Sequence, residues 1–184
     1  MKASEQLCLA CGLCCDGTLF DGVQLEEGDS APQLRSLGLP VTISRARKPV
    51  ARFPQPCAAL CADRTCRLYA NRPRQCRTFE CGVYRKALAG QIEADTALRL
   101  VKKARRQADK VRMLLLQLGD TEAQRSLGER FHRMQERLEA DPSDQAALAI
   151  LADLSLAVHR LKLIAQEHFY TRADGQRSTP PTMV

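Results

Sequence analysis

The chain has 184 residues, nine cysteines, no tryptophan and a formal net charge of +7. This length suits one ordinary domain or two small ones and excludes a large multidomain enzyme. No stretch approaches the roughly 20 apolar residues of a membrane-spanning helix, and the first residues lack the apolar core and cleavage site of a secretory signal. We therefore expect a soluble cytoplasmic protein, in which dense cysteines indicate metal binding or redox chemistry more often than disulfides.

The cysteines divide the chain into two regions. All nine lie within residues 8 to 81, and none follows. The first region, residues 1 to 90, contains stretches rich in turn formers, such as residues 16 to 32 and 48 to 57, and its apolar residues are scattered. Bound metal contributes on the order of 10 kcal/mol to folding. We therefore predict an irregular N-terminal half that is organised around a metal centre.

The stretch CLACGLCC, residues 8 to 15, holds four of the thiols. Two residues separate Cys8 from Cys11 and Cys11 from Cys14, a spacing that lets a tight loop turn three sulfurs toward one centre, as in bacterial ferredoxins. Adjacent side chains diverge by about 100° in a helix and about 180° in a strand. Cys15 therefore faces a second centre, bridges two metals or stays free.

A second cysteine run follows at residues 56 to 81, PCAALCADRTCRLYANRPRQCRTFEC. Four thiolates from each run suffice for two tetrahedral metals, or for one four-cysteine cluster with ligands left for zinc, and the ninth thiol is then surplus. An all-sulfur shell suits zinc, iron–sulfur clusters or copper(I), and we keep zinc and iron. Saturated thiolate sites favour a structural or regulatory role, with iron–sulfur redox chemistry as the alternative.

The second region, residues 91 to 170, predicts three helices. Apolar residues recur in steps of three and four from Ala94 to Leu118, which is typical of a long amphipathic helix that Gly119 ends. Thr121 and Gln124 have the spacing of a capping box for a second helix, which runs to about Glu139. The apolar positions of these two helices are Ala94, Ala97, Val101, Ala104, Ala108, Val111, Leu115 and Leu118, then Ala123, Leu127, Phe131, Met134 and Leu138.

The stretch DPSD, residues 141 to 144, supplies a cap and a first-turn proline for the third helix, which runs to about Tyr170. Its apolar stripe consists of Ala147, Leu151, Leu154, Val158, Leu161 and Ala165. Short connections predict that the three helices are antiparallel and enclose a common core. The fold class is therefore mainly α, and residues 171 to 184 form a tail that we expect to be disordered.

The formal positive charge suggests a nucleic-acid partner, but this suggestion weakens when the charges of the ligating thiolates are included. Through residue 90 there are 13 Lys and Arg against 8 Asp and Glu. Eight ligating thiolates and two divalent metals reduce the balance of this region from +5 to about +1. The basic run at residues 99 to 112 then remains, and it is either a solvated helix face or a phosphate-binding surface. A nucleic-acid partner is thus disfavoured, metal ions are expected, and a protein partner stays open.

The ordered cysteine motifs resemble a known family, the zinc- or iron-chelating cysteine-cluster proteins, also called the YkgJ-like or CxxCxxCC family. The resemblance lies in C-x-x-C-G-x-C-C, in P-C-x-x-L and in C-x-[IL]-[YF]-x-x-R-P-x-x-C-R-x-F with a further cysteine. The matching residues are Cys8, Cys11, Gly12, Cys14 and Cys15, then Pro56, Cys57 and Leu60, and then Cys66, Leu68, Tyr69, Arg72, Pro73, Cys76, Arg77, Phe79 and Cys81. The resemblance implies metal chelation by the cysteines of this set, and Cys61 has no place in the pattern.

An enzyme is not indicated. The chain has no P-loop, no G-x-G-x-x-G and no H-E-x-x-H, and no histidine near the cysteines that would activate a nucleophile. The cysteine pattern is also similar to part of the flagellin lysine methylases, which keeps a subunit of a modification enzyme as an alternative. We expect His132, His159 and His168 to lie on helices and not to be ligands. Arg72, Arg74 and Arg77 either donate to ligand sulfurs or are solvated.

Overall fold

The computed structural model describes residues 7–9, 11–45 and 47–171. Helices predominate in this part of the chain, which confirms the mainly α fold class. The elements are β1 (Gly22–Gln24), α1 (Ala31–Ser36), β2 (Thr42–Ile43), β3 (Ala51–Pro54), a 3-10 turn (Tyr69–Asn71), α2 (Arg74–Thr78), α3 (Gly82–Leu88), α4 (Ala94–Gln117), α5 (Leu127–Ala140), α6 (Gln145–Ile164) and a π-helical turn (Ala165–Phe169). Residues 172–184 of the tail that was predicted to be disordered lie outside the described residues.

A small antiparallel sheet lies in the first half, with strand order β1-β3-β2. Val23 pairs with Phe53, and Thr42 pairs with Arg52. A buried apolar cluster covers the sheet and consists of Val23, Leu34, Leu39, Val41, Phe53, Ala59 and Leu68. The sequence did not predict this sheet, because strands of two to four residues are too short to show a two-residue period. The first half therefore has a core of its own beside its cysteines.

The predicted first long helix is confirmed as α4. Its stripe from Ala97 to Leu118 is buried, whereas Ala94 is exposed. Gly119 follows the helix with a φ of 78°, a left-handed conformation that glycine adopts without strain. The apolar spacing of three and four thus predicted the buried face of this helix, and Gly119 predicted its end.

The predicted start of the second helix is wrong. Helix α5 begins at Leu127, and the Ser126 hydroxyl accepts a hydrogen bond from the Glu129 N–H at 3.3 Å. Thr121 and Gln124 lie in the preceding loop. Ser126 and Glu129 have the same capping-box spacing, and Ser126 also donates to Asp21 in the first half. That tertiary contact favours the later cap.

The third long helix, α6, is capped by Asp144, whose side chain accepts from the Ala147 N–H at 3.0 Å. Pro142 lies before this cap, so the prediction of a first-turn proline is wrong. Helix α4 packs along α6, and the Gln107 side chain donates to the Ala157 carbonyl at 2.8 Å. The antiparallel order of the three helices and the metal-centred first half stay predictions.

The core of the long helices continues into the first half. Leu13 and Leu19, which flank the end of the first cysteine run, are 0% and 1% exposed and belong to the same cluster as the buried faces of α4, α5 and α6. The first cysteine run is therefore held against the helices by apolar packing. Among the described residues, no helix has both the length and the apolar character needed to span a membrane.

Candidate metal centre

A turn at Gly12 shapes the first cysteine run. Gly12 has a φ of 70°, and its carbonyl accepts from the N–H groups of Cys15 and Asp16 at 2.9 and 3.0 Å. A Cβ atom at this position would lie 3.3 Å from the Arg64 guanidinium. Glycine is favoured here because the backbone is left-handed and the arginine lies against it. Cys14 and Cys15 lie in the part of the turn that follows Gly12.

Backbone contacts bring the second run to the first. The Cys57 N–H donates to the Cys15 carbonyl at 2.8 Å. Leu60 and Cys66 form an isolated antiparallel bridge, which folds the chain back toward Cys57. Helix α2 then carries Cys76, and Cys81 lies at the N-terminus of α3, where its sulfur accepts from the Tyr84 N–H at 3.4 Å. The two runs therefore meet in one region of the fold.

Four thiols form the group that we call the first thiol set, Cys8, Cys11, Cys14 and Cys81. The pKa of Cys11 is raised to about 12, mainly by burial, with the Leu13 N–H opposing the shift and the neighbouring Cys81 and Cys8 adding to it. Burial also raises the pKa of Cys14 well above its usual value, followed by the charges of Cys81 and Cys11. Cys8 is exposed as a residue, yet burial of its thiol and Cys81 raise its pKa to about 11. Each thiol of this set thus lies within the electrostatic reach of the others.

Cys15 belongs to a different group, the second thiol set, with Cys57, Cys66 and Cys76. Burial raises the pKa of Cys15 to about 12, and the next causes are the charges of Cys57 and Cys66. Burial raises the pKa of Cys76 strongly, and Cys15, Cys57 and Cys66 add to the shift. The pKa of Cys57 is raised by burial and lowered by the Ala59 N–H. The strongest thiol influences on Cys14 are therefore Cys81 and Cys11, and those on Cys15 are Cys57 and Cys66. Two weaker influences cross between the sets, because Cys15 raises the pKa of Cys14 and Cys8 raises that of Cys15.

A cavity of about 140 Å³ lies between the two sets. Its wall contains apolar side chains, including Phe20, Phe53 and Leu68, and thiols of both sets, namely Cys8, Cys14, Cys15, Cys57, Cys66 and Cys76. Cys61 does not line this cavity. It lines a second pocket beside Arg64 and Arg112. The cysteine that the family pattern omits therefore lies outside the cavity that six of the other eight line.

Hydrogen-bond donors and cations accompany the sulfurs. The Ala59 N–H lies 3.5 Å from the Cys57 sulfur, and N–H groups of this kind stabilise a thiolate. The Arg72 guanidinium lies 3.8 Å above the Tyr69 ring, and its charge opposes the rise in the pKa of both Cys8 and Cys76. Arg72 therefore acts electrostatically on both sets.

The other two predicted arginines differ from Arg72. Arg74 pairs with Glu26 at 3.5 Å, and Arg77 is exposed. Arg67, which was not among the predicted residues, lowers the pKa of Cys57. An arginine adjacent to a cysteine in sequence was the available signal for Arg67.

Asp16 ties the first cysteine run to the rest of the molecule. Its carboxylate lies 2.9 Å from the Arg112 guanidinium on α4 and 3.4 Å from that of Arg64 in the second run, and it accepts from the Thr18 N–H at 3.0 Å. Its side chain is 11% exposed. This role of Asp16 was not predicted from the sequence, because nothing local connects an aspartate to arginines so far along the chain.

The donor chemistry of both sets fits a soft metal. Thiolates suit zinc or iron, and neither set contains a histidine. His132 and His159 are exposed on α5 and α6, and His168 pairs with Glu167 at 3.4 Å. Across residues 7–9, 11–45 and 47–171, no group of three or more His, Cys, Asp or Glu side chains is already arranged to hold a metal ion. The sulfurs of each set are neighbours, and metal coordination requires them to move closer together.

Comparison with known proteins gives one family. The model of the CxxCxxCC family, described as "Putative zinc- or iron-chelating domain", matches residues 7–98, which is half of the chain. The match contains all nine cysteines, and it confirms the resemblance drawn from the cysteine motifs. No curated protein and no solved structure matches the chain.

Proposed function

Because the chain belongs to the CxxCxxCC family of zinc- or iron-chelating domains, we propose that it binds two metal ions, one at each thiol set. The first ion has Cys8, Cys11, Cys14 and Cys81 as ligands, and the second has Cys15, Cys57, Cys66 and Cys76. The observation that carries this proposal is that the two cysteine runs meet and that six of these eight thiols line one cavity. The strongest electrostatic partners of Cys14 are Cys81 and Cys11, and those of Cys15 are Cys57 and Cys66, which supports one group of four around each. Four sulfurs complete a tetrahedral shell.

Electrostatics supports a cation at each set. Burial and mutual repulsion raise the pKa values of these thiols, so that the metal-free sets hold their protons. A divalent metal reverses that balance, because it stabilises the thiolates, and the protons are released as it binds. Arg72 reduces the remaining negative charge of both sets. The protein residues thus supply the sulfurs, the N–H donors and one shared cation.

The role that fits these centres is structural or in metal handling. The two ions connect four separate segments, which are the first cysteine run, the loop from Cys57 to Cys66, and helices α2 and α3. The small apolar core around the sheet includes only some of the residues of the first half. Metal binding therefore contributes to the folding of the first half. No histidine is among the described residues that line the cavity, and we propose no reaction.

Metal counting in two cysteine variants tests the proposal. Cys15→Ser leaves three thiols in the second set and the first set intact, so the metal content is expected to fall from two ions per chain to about one. Cys61→Ser is the matched control, because it makes the same chemical change outside both sets, and it should retain two ions. The measurement is elemental analysis of full-length protein purified anaerobically.

Two further readings accompany the metal count. Visible absorption identifies the metal, because iron–sulfur clusters absorb visible light and zinc thiolates do not. Alkylation of the metal-loaded protein followed by peptide mapping should label Cys61 and protect Cys15. Two ions per chain in Cys15→Ser, or protection of Cys61 with labelling of Cys15, would show that the ligand assignment is wrong.

A further inference from the structure

Helix α6 carries apolar residues on two opposite faces. One face, which includes Leu154 and Leu161, is buried in the helical core. The opposite face carries an exposed apolar row, which we call the outer stripe and which consists of Ala149, Ala152, Leu156 and Leu163. The two leucines of the outer stripe are 57% and 50% exposed. A surface helix normally has one apolar face, and a helix that is apolar all round is normally buried. The outer stripe therefore has the character of a surface that another molecule covers.

The outer stripe has the spacing of a contact between two helices. Its residues follow one another at steps of three, four and seven, and His159 divides the last step into three and four. Alternating steps of three and four keep the residues of a helix in line along one partner helix. At 1.5 Å per residue, the stripe extends about 21 Å from Ala149 to Leu163. A second helix of the length of α6 is long enough to cover it.

Two opposite charges flank the outer stripe on the same side. Asp153 and Arg160 are both exposed and lie seven residues apart on α6, so their positions are about 10.5 Å apart along the helix. That separation exceeds the three or four residues over which side chains of one helix form pairs. Neither residue forms an ion pair with another residue in the described part of the chain. Each charge of the flank thus has its complement on the same flank, but out of its own reach.

We propose that the outer stripe is the contact surface of a homodimer, in which two α6 helices pack antiparallel about a two-fold axis near Leu156. A two-fold axis brings the same surface of both copies together. Asp153 of each copy then lies opposite Arg160 of the other, so that two ion pairs flank the apolar contact. In a parallel pair, Arg160 would instead face Ser155, and Asp153 would face Leu148, so the charges favour the antiparallel arrangement. This inference needs neither the metal ions nor the proposed function.

Sedimentation equilibrium of the full chain over a series of concentrations tests the dimer. Reducing conditions exclude a dimer that is linked by disulfides. The wild-type chain is expected to dimerise as its concentration rises, and Leu156→Glu should abolish the dimer, because two glutamates would meet near the axis. Leu156 is exposed in the single chain, so the helical circular dichroism of this variant should not change. Leu116→Glu is the matched control, because Leu116 is a 64% exposed leucine on α4, outside the outer stripe, and this variant should still dimerise.

Charge reversal tests the arrangement of the two helices. Asp153→Arg places like charges opposite each other twice and should weaken the dimer about tenfold, and Arg160→Asp should do the same. The double variant with both reversals restores opposite charges across the axis and should dimerise as the wild type does.

Three results would overturn the inference. A wild-type chain that stays monomeric at every concentration would show that a second copy does not cover the stripe, in favour of a different protein as its partner. A dimer that persists in Leu156→Glu would place the contact elsewhere on the molecule. A double variant that is as weak as the single variants would contradict the antiparallel pairing of Asp153 with Arg160.

Discussion

Asp16→Asn is expected to loosen the first cysteine run from helix α4 and to destabilise the whole chain. The carboxylate contacts two guanidinium groups, and its side chain is 11% exposed, whereas those of Arg64 and Arg112 are 23% and 25% exposed. Asparagine keeps the shape of the side chain and removes the charge. The variant therefore leaves two partly buried arginines with less compensation.

The magnitude follows from the burial of the three groups. Breaking a fully buried ion pair costs about 3–5 kcal/mol, and an exposed pair contributes less than about 1 kcal/mol. Arg112 retains Asp109 at 2.9 Å and the Thr18 hydroxyl at 2.9 Å. We therefore expect a loss of about 2 kcal/mol in the free energy of unfolding. For a chain of this length that corresponds to a melting temperature lower by about 4–8 °C.

Asp109→Asn provides the control for this prediction. Asp109 contacts the same Arg112 at the same distance, but its side chain is 59% exposed, so its loss should cost no more than about 0.5 kcal/mol. Thermal unfolding followed by circular dichroism, with both variants at equal metal loading, gives the comparison. Equal shifts for the two aspartate variants would refute the reasoning, because they would show that burial of Asp16 adds nothing.

Two other outcomes can be measured on the full chain. Removal of metal with a strong chelator under reducing conditions should make residues 11 to 90 susceptible to proteolysis. Most of the helical circular dichroism should persist, because α4, α5 and α6 share an apolar core. Unchanged protection of the first half from proteolysis would contradict the coupling of metal binding to its folding. Gly82→Ala should lower the free energy of unfolding by about 1–3 kcal/mol, because the added Cβ would lie 2.5 Å from the His168 carbonyl oxygen. This clash outweighs the roughly 1 kcal/mol by which alanine favours a helix over glycine. A melting temperature that stays the same or rises would show that the backbone moves to relieve the clash.

Local rules explain what the sequence predicted well. The C-x-x-C-x-x-C spacing acts over two residues at a time, and the structure does bring Cys8, Cys11 and Cys14 together. The divergence of adjacent side chains left three roles for Cys15, and the structure places it among the thiols of the second run. Which cysteine of the second run joins Cys14 depends on where α3 begins. No spacing rule assigns Cys81 to that role, so the composition of each set could not be read from the sequence.

Long-range contacts explain the errors. The start of α5 was misplaced because Thr121 and Ser126 both begin a capping-box pattern. Ser126 also donates to Asp21, and the Leu127 N–H donates to the Gly17 carbonyl at 2.9 Å, so the first half of the chain favours the later start. The strands were not predicted because each is only two to four residues long, which is too short to show a two-residue period. The position of Gln55 could not be predicted for a similar reason, since only the folded chain shows that its side-chain oxygen is buried and that none of the described residues donates to it.

The adjacency of Cys14 and Cys15 has a physical consequence for how the two proposed centres fill. The Gly12 turn fixes the backbone between them, and the Cys15 carbonyl is held by the Cys57 N–H. A metal that orders the first set therefore also orders the peptide that presents Cys15 to the second set. The conformational entropy of that peptide is lost only once, so the second ion binds to a partly ordered site. Two centres joined by one peptide bond should thus fill with positive cooperativity, which two centres on separate loops would lack.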